Sequence, residues 1–113
     1  MEIAFSVDKI LQAIKEWRSI NPKEEDRKRL YENVKKYHKR LKEACEKGSK
    51  VYRLASDIAK DHLFCIAIGN DNHGQILNYL SYLDKLTKSQ KDLKRQICRD
   101  VLRTLEMVWK ELC

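Results

Sequence analysis

The sequence predicts an all-α fold, and three observations lead to that prediction. Apolar residues recur every three or four positions along nearly all of the 113 residues, which is the period of a helix with one buried face. One Pro and three Gly are too few for the many tight turns of a β-sandwich. Charged residues reach 36%, against about 25% in ordinary domains. We therefore expect a single domain, residues 1–113, built as an antiparallel bundle of four to five helices.

The first two helices are predicted by their caps and their apolar spacing. Ser6 caps a helix whose apolar residues stand at positions 7, 10, 11, 14 and 17. The second helix is expected to begin at Asn21-Pro22, with Asn as the cap and Glu24 completing a capping box. Its apolar residues stand at positions 30, 34, 37, 41 and 44. Gly48 should end it, and the serine that follows should cap the next helix.

The middle of the chain predicts the most buried helix. Apolar residues dominate every side of its second half, up to position 68, so this segment should lie in the core. The core is therefore expected to contain Ile58, Leu63, Ile66 and Ala67. Residues 69–74, Gly-Asn-Asp-Asn-His-Gly, have the composition of a loop. A short helix should follow, and the capping box at Thr87 and Gln90 should open the last one.

The basic residues are concentrated in two segments. The chain has 24 Lys and Arg against 17 Asp and Glu, a net charge of +7. Residues 22–50 hold 11 basic and 6 acidic side chains, and residues 85–103 hold 7 and 2. Such segments indicate an anionic partner, most often nucleic acid contacted through its phosphates. The helical period places eight of these side chains on solvent-facing sides, namely Lys28, Lys35, Lys39, Lys42, Lys88, Lys91, Arg95 and Arg99.

No residue pattern in the chain requires a reaction, a metal or a cofactor. The four cysteines, at 45, 65, 98 and 113, lack the close pairs of a zinc site, and no glycine-rich phosphate-binding motif is present. Cys65 is expected in the core, and Cys113 as a free thiol or a dimer link. Asp57 and Asp61 stand one helical turn apart, as in all-helical Mg²⁺-dependent nucleotide pyrophosphatases, but such a site needs further carboxylates on a facing helix.

The sequence also predicts a location and an interface. No segment approaches the roughly 18 apolar residues of a membrane span, and positions 1–5 do not begin a secretory signal, so we expect a cytoplasmic chain without a membrane partner. Apolar residues in the last helix keep a period close to that of a coiled coil. Tyr79, Tyr82 and Trp109 add interface-type side chains, which predicts a homo- or hetero-oligomer.

The order of these patterns resembles the helical A-domain of the GINS proteins. The positions that carry the resemblance are Ile10, Leu11, Ile14, Trp17, Leu30, Tyr31, Val34, Tyr37, Leu41, Ala55, Ile58, Ala59, His62, Leu63, Ile66, Ala67, Leu86, Thr87, Gln90 and Leu93. The resemblance implies a non-catalytic adaptor that assembles through long helices and links the replicative helicase to primase and polymerase. We therefore expect a non-enzymatic interaction or scaffold module in nucleic-acid metabolism, of which a GINS-like DNA replication factor is one form. The alternatives are a basic protein that binds nucleic acid directly and, third, the Mg²⁺-dependent hydrolase.

Overall fold

The computed structural model describes residues 6–113, and within that range every regular element is helical. The helices are α1 (Val7–Ser19), α2 (Glu24–Lys47), α3 (Tyr52–Lys60), α4 (His62–Ile68), α5 (Asn70–Lys85) and α6 (Lys91–Glu111), with a 3-10 turn at Lys88–Gln90 before α6. The all-α prediction is confirmed, although the helices number six in this range rather than four or five. None of these helices is both long and apolar enough to cross a membrane. Positions 1–5, on which the expectation about a signal peptide rests, lie outside the described residues.

Helices α2 and α6 pack against each other over most of their length and form the long axis of the molecule. The molecule extends 46 × 25 × 21 Å along its three principal axes. The two helices are antiparallel, because Cys45 near the end of α2 is bonded to Cys98 in the first half of α6, whereas His38 contacts Trp109 farther along α6. Helix α1 packs on α6 and α4, and α5 packs on α3, α4 and α6.

The core draws on all six helices. The apolar stripes predicted for α1 and α2 supply buried side chains, and most of the stripe of α6 is also buried. The largest side chains with less than 2% exposure are Phe64, Ile10, Ile14, Leu30, Leu41, Ile58, Ile68, Ile76, Leu80, Leu105, Val34 and Val51. Both α2 and α6 contribute side chains to this core. The core packing therefore fixes the position of the exposed face of α2 relative to that of α6.

The predicted third helix is divided in two at Asp61. Its backbone is extended there, and its carboxylate caps α4 by accepting a hydrogen bond from the amide of Phe64 at 3.0 Å. This break changes the helical phase, so the prediction for Ile66 is wrong: its side chain is 69% exposed, and Phe64 and Ile68 are buried instead. Ile58 and Ala67 are buried as predicted, while Leu63 is half-buried.

The loop predicted at residues 69–74 is also wrong, because α5 begins at Asn70. Gly69 alone makes the break, with a φ of 91° that side chains with a Cβ rarely adopt. The amide of Asn72 donates to the Ile68 carbonyl at 2.7 Å, which satisfies an end of α4. Asn70, Asp71 and Asn72 therefore form the first turn of α5 and not a loop.

Two of the predicted caps are absent. The second helix begins at Glu24 behind Lys23, with no side-chain cap, while Asn21 has a φ of 61° and donates its amide to Arg18 at the end of α1. Gly48 ends α2 in the left-handed conformation as predicted, but α3 begins only at Tyr52, so the serine after Gly48 is no cap. The caps at Ser6 and Thr87 are confirmed.

Candidate nucleic-acid interface

A groove of about 1010 Å³ lies between the C-terminal end of α2 and residues 91–106 of α6. Its apolar lining comes from Leu86, Leu102 and the disulfide between Cys45 and Cys98. Its remaining lining is mostly charged. We call this the basic groove. The register of the antiparallel pair builds it, because the end of α2 and the start of α6 meet only at this end of the molecule.

Seven basic side chains line the basic groove against two acidic ones, Glu46 and Glu106. The basic residues are Lys47, Lys88, Lys91, Lys94, Arg95, Arg99 and Arg103. Within residues 6–113, none of these seven forms an ion pair with a carboxylate. Positive side chains therefore outnumber the two carboxylates of the lining by five, and a concave surface with such an excess concentrates counter-ions.

The structure brings one of the two predicted basic sets into the groove. Lys88, Lys91, Arg95 and Arg99 all line it, as the period of α6 indicated. The other set, the lysine stripe of α2, is exposed on the side of that helix away from the core and does not line the groove; its members are Lys28, Lys35, Lys39 and Lys42.

Three groove residues were missed from the sequence. Arg103 continues the four-residue spacing of Lys91, Arg95 and Arg99, so extending that row would have found it. Lys94 is half-buried at the side of the same row. Lys47 belongs to another helix, and only the antiparallel pairing of α2 with α6 brings it to the groove.

The disulfide between Cys45 and Cys98 joins the two walls of the basic groove. The sequence did not predict it, since the two residues are 53 positions apart and spacing alone does not fix a pairing. A structural disulfide is typical of oxidising compartments, so this bond weighs against the cytoplasmic expectation. Cys113 is a free exposed thiol, and Cys65 is half-buried rather than in the core, with its thiol 2.8 Å from the side-chain oxygen of Asn70.

The predicted interface residues differ in their exposure. Tyr79 is 6% exposed and belongs to the core, whereas Tyr82 and Trp109 are half-buried. Burial, and secondarily the Asp100 carboxylate, raises the pKa of Tyr79. Trp109 packs its ring edge-on against His38 of α2, with 4.7 Å between the ring centroids. Part of the proposed interface is therefore used to hold the chain itself together.

The two carboxylates considered for Mg²⁺ have protein partners. Asp57 pairs with Arg40 at 2.7 Å. Asp61 accepts hydrogen bonds from the Tyr37 hydroxyl at 2.5 Å and the Asn33 amide at 3.3 Å, besides capping α4. Residues 6–113 contain no group of three or more His, Cys, Asp or Glu side chains that is arranged to hold a metal ion. The facing carboxylates that a Mg²⁺ site requires are thus not part of this cluster.

No protein-family model, curated protein or solved structure matches this chain. The resemblance to the GINS A-domain therefore stays an expectation from the sequence pattern. The chain's own geometry offers the basic groove, a concave surface of about 1010 Å³ that gathers seven basic side chains.

Proposed function

We propose that this chain is a non-catalytic helical module that binds nucleic acid through phosphate contacts in the basic groove. The observation that carries the proposal is the gathering of seven basic side chains in one concave surface with no ion-pair partner among residues 6–113. Phosphate contacts carry no sequence information, so the proposal covers DNA and RNA alike.

The physical basis is the electrostatics of a polyanion. Each phosphate neutralised by a Lys or Arg releases condensed counter-ions, which favours binding at low salt. Arg95, Arg99 and Arg103 also offer planar guanidinium groups that can hold a phosphate with two hydrogen bonds. These arginines are four residues apart along α6, so a guanidinium group recurs about every 6 Å.

Two alternative functions have less support than phosphate binding in the basic groove. A scaffold role in replication draws its support from the resemblance, and it is compatible with a module that also holds nucleic acid. The Mg²⁺-dependent hydrolase loses its main support, because Asp57 and Asp61 are engaged by Arg40 and Tyr37. Direct phosphate binding is therefore the function that the described residues support best.

The test is charge reversal with a matched control. The double variant Lys91→Glu, Arg95→Glu changes two exposed groove residues, and Lys9→Glu, Lys15→Glu makes the same change in charge on α1, away from the groove. Binding of a fluorescently labelled DNA at low salt should weaken at least tenfold in the groove variant and much less in the control.

A third double variant, Lys39→Glu, Lys42→Glu, addresses the lysine stripe. We expect an intermediate loss, because these side chains are exposed on α2 but lie outside the groove lining. Equal losses in all three variants would mean that net charge alone governs binding. An absence of binding by the unmodified chain at low salt would contradict the proposal itself.

A further inference from the structure

An aromatic cluster lies where α2 and α6 meet beyond the basic groove. Its rings are Tyr31 and His38 of α2 and Trp109 of α6, and all three are half-buried. The ammonium of Lys35 lies 5.3 Å from the centre of the Tyr31 ring and 5.8 Å from that of Trp109. We call these four residues the aromatic cluster. Each of its rings keeps a solvent-exposed part, and the Lys35 ammonium lies over two of them, Tyr31 and Trp109.

The aromatic cluster adjoins the basic groove at Glu106. Glu106 lines the groove and also accepts a contact from His38 at 3.2 Å between Nε2 and Oε1, so one residue belongs to both. The positions on α2 also place the two surfaces side by side. Tyr31, His38 and Cys45 are seven residues apart, and this separation keeps side chains on one side of a helix. The disulfide at one end and Trp109 at the other are about 16 Å apart along α6.

We propose that the aromatic cluster stacks the bases of a single-stranded nucleic acid whose phosphates lie in the basic groove. This inference rests on the proposed function and specifies its ligand. Stacking on aromatic rings next to a basic track is the recurring mode by which proteins hold single strands without sequence preference. The distance of about 16 Å corresponds to about five nucleotides at the stacked spacing of about 3.4 Å.

The geometry favours a single strand over a duplex. In a duplex the base faces are stacked on one another, and a half-buried ring on the protein surface has no base face to contact. In a single strand the faces are free, and every base offers one. The Lys35 ammonium lies over the Tyr31 and Trp109 rings, so a base that stacks there takes its place, and the displaced cation can pair with the phosphate that follows.

The test compares two oligomers that carry equal numbers of phosphates. A short labelled oligothymidylate has bases, and an abasic oligomer of the same length has none. The full chain should bind oligothymidylate at least about fivefold more tightly, since one stacked base is worth about 1 kcal/mol or more. Tryptophan fluorescence should be quenched by oligothymidylate only, because Trp17 is 8% exposed and Trp109 is the accessible indole.

Trp109→Leu should remove the preference for oligothymidylate and leave abasic binding unchanged. Tyr31→Leu is the second variant, because Trp109 also packs on His38 and its replacement can destabilise the chain, which thermal unfolding detects. The matched control is Tyr52→Leu, an exposed tyrosine near the Arg53 guanidinium that lies outside the groove lining. It should preserve the preference.

The outcomes separate this inference from the proposed function. Equal affinity of the unmodified chain for both oligomers would overturn the stacking site and leave the phosphate groove standing. A preference for bases that survives in both Trp109→Leu and Tyr31→Leu would also overturn it. If neither oligomer binds at low salt, the proposed function fails and the stacking site fails with it.

Discussion

Asp61 shows how one side chain organises three helices. Its carboxylate ends α3 and begins α4 through the amide of Phe64, and it also accepts hydrogen bonds from Tyr37 and Asn33 of α2. The pKa of Tyr37 is raised, first by burial and then by the hydrogen bond to Asp61 and the charge of the same carboxylate. The neutral phenol is thus the form that the fold requires.

The raised pKa of Tyr37 predicts a loss of stability at high pH. A tyrosine whose pKa is higher in the folded than in the unfolded chain contributes fully below its ordinary value of 10.0, and the contribution decreases as the pH rises above it. Tyr37→Phe should cost about 1 kcal/mol of unfolding free energy near neutral pH by removing the hydrogen bond. The same substitution should make the unfolding free energy fall less steeply as the pH rises above about 10.

Urea unfolding of both chains at neutral pH and at several values above 10 measures this slope. The pKa of Tyr79 is also raised by burial, so Tyr37→Phe should retain part of the alkaline loss. Tyr52→Phe, at an exposed position, is the control and should follow the unmodified chain. Parallel curves for Tyr37→Phe and the unmodified chain would show that the phenol of Tyr37 does not couple to unfolding.

The pair Ile66 and Ile68 tests the phase of α4. Both are isoleucines in one short helix, but Ile68 is fully buried and Ile66 is 69% exposed. Ile68→Ala should cost about 2–5 kcal/mol of unfolding free energy because it leaves a cavity, whereas Ile66→Ala should change it by less than about 0.5 kcal/mol. Denaturant titration measures both, and the reverse order of losses would place the break between α3 and α4 elsewhere.

At the scale of the helix, the disulfide fixes the register of α2 against α6. Closing a link across 53 residues restricts the unfolded chain, which stabilises the fold by about 2–4 kcal/mol. A reducing agent should therefore lower the melting temperature of the unmodified chain clearly. The double variant Cys45→Ala, Cys98→Ala should start at the lower value and no longer respond to the reducing agent.

The control for the disulfide is Cys65→Ser, Cys113→Ser, which keeps the bond and removes the two free thiols. It should retain the full response to the reducing agent. Identical melting with and without the reducing agent would show that the link between α2 and α6 is not formed in solution or does not stabilise the chain.

Helices were predictable from the sequence wherever burial on one face set the pattern. The stripes of α1, α2 and α6 repeat every three or four residues, and this period alone places their cores. The ends of the helices were less predictable, because several neighbouring residues can each act as the cap of a helix. Asn21 and Gly69 both adopt positive φ, but Asn and Gly take this conformation in several kinds of turn, so the residue type does not show where a helix ends. The break at Asp61 depends on tertiary hydrogen bonds to Tyr37, which no local pattern contains.

At the scale of the whole molecule, the apolar surface of α6 is largely used within the chain. Ile97, Val101, Leu105, Val108 and Leu112 are all buried against the rest of the described chain. Little of the apolar surface of α6 is therefore left for a second chain to cover, and self-association stays a prediction. Light scattering at micromolar concentration, with Trp109→Glu as the interface variant, measures the mass directly.

The candidate site was predictable in part. The charge of residues 85–103 indicated a basic face on the last helix, and four of its predicted residues line the groove. The concave shape was not predictable, since it arises from the approach of Lys47 and Cys45 on α2 to that face. The aromatic cluster was missed for the same reason, because Tyr31 and Trp109 are far apart in the sequence and meet only through antiparallel packing.

The salt dependence of binding is the most direct measure of phosphate contacts in the basic groove. Each phosphate neutralised on a single strand contributes about −0.7 to the slope of log K against log salt concentration. If three to seven of the groove cations are engaged, oligothymidylate should show a slope of about −2 to −5. Lys91→Glu, Arg95→Glu should make it shallower by about 0.7 for each of the two residues that contacts a phosphate. A slope near zero, or one unchanged in that variant, would contradict phosphate binding in the basic groove.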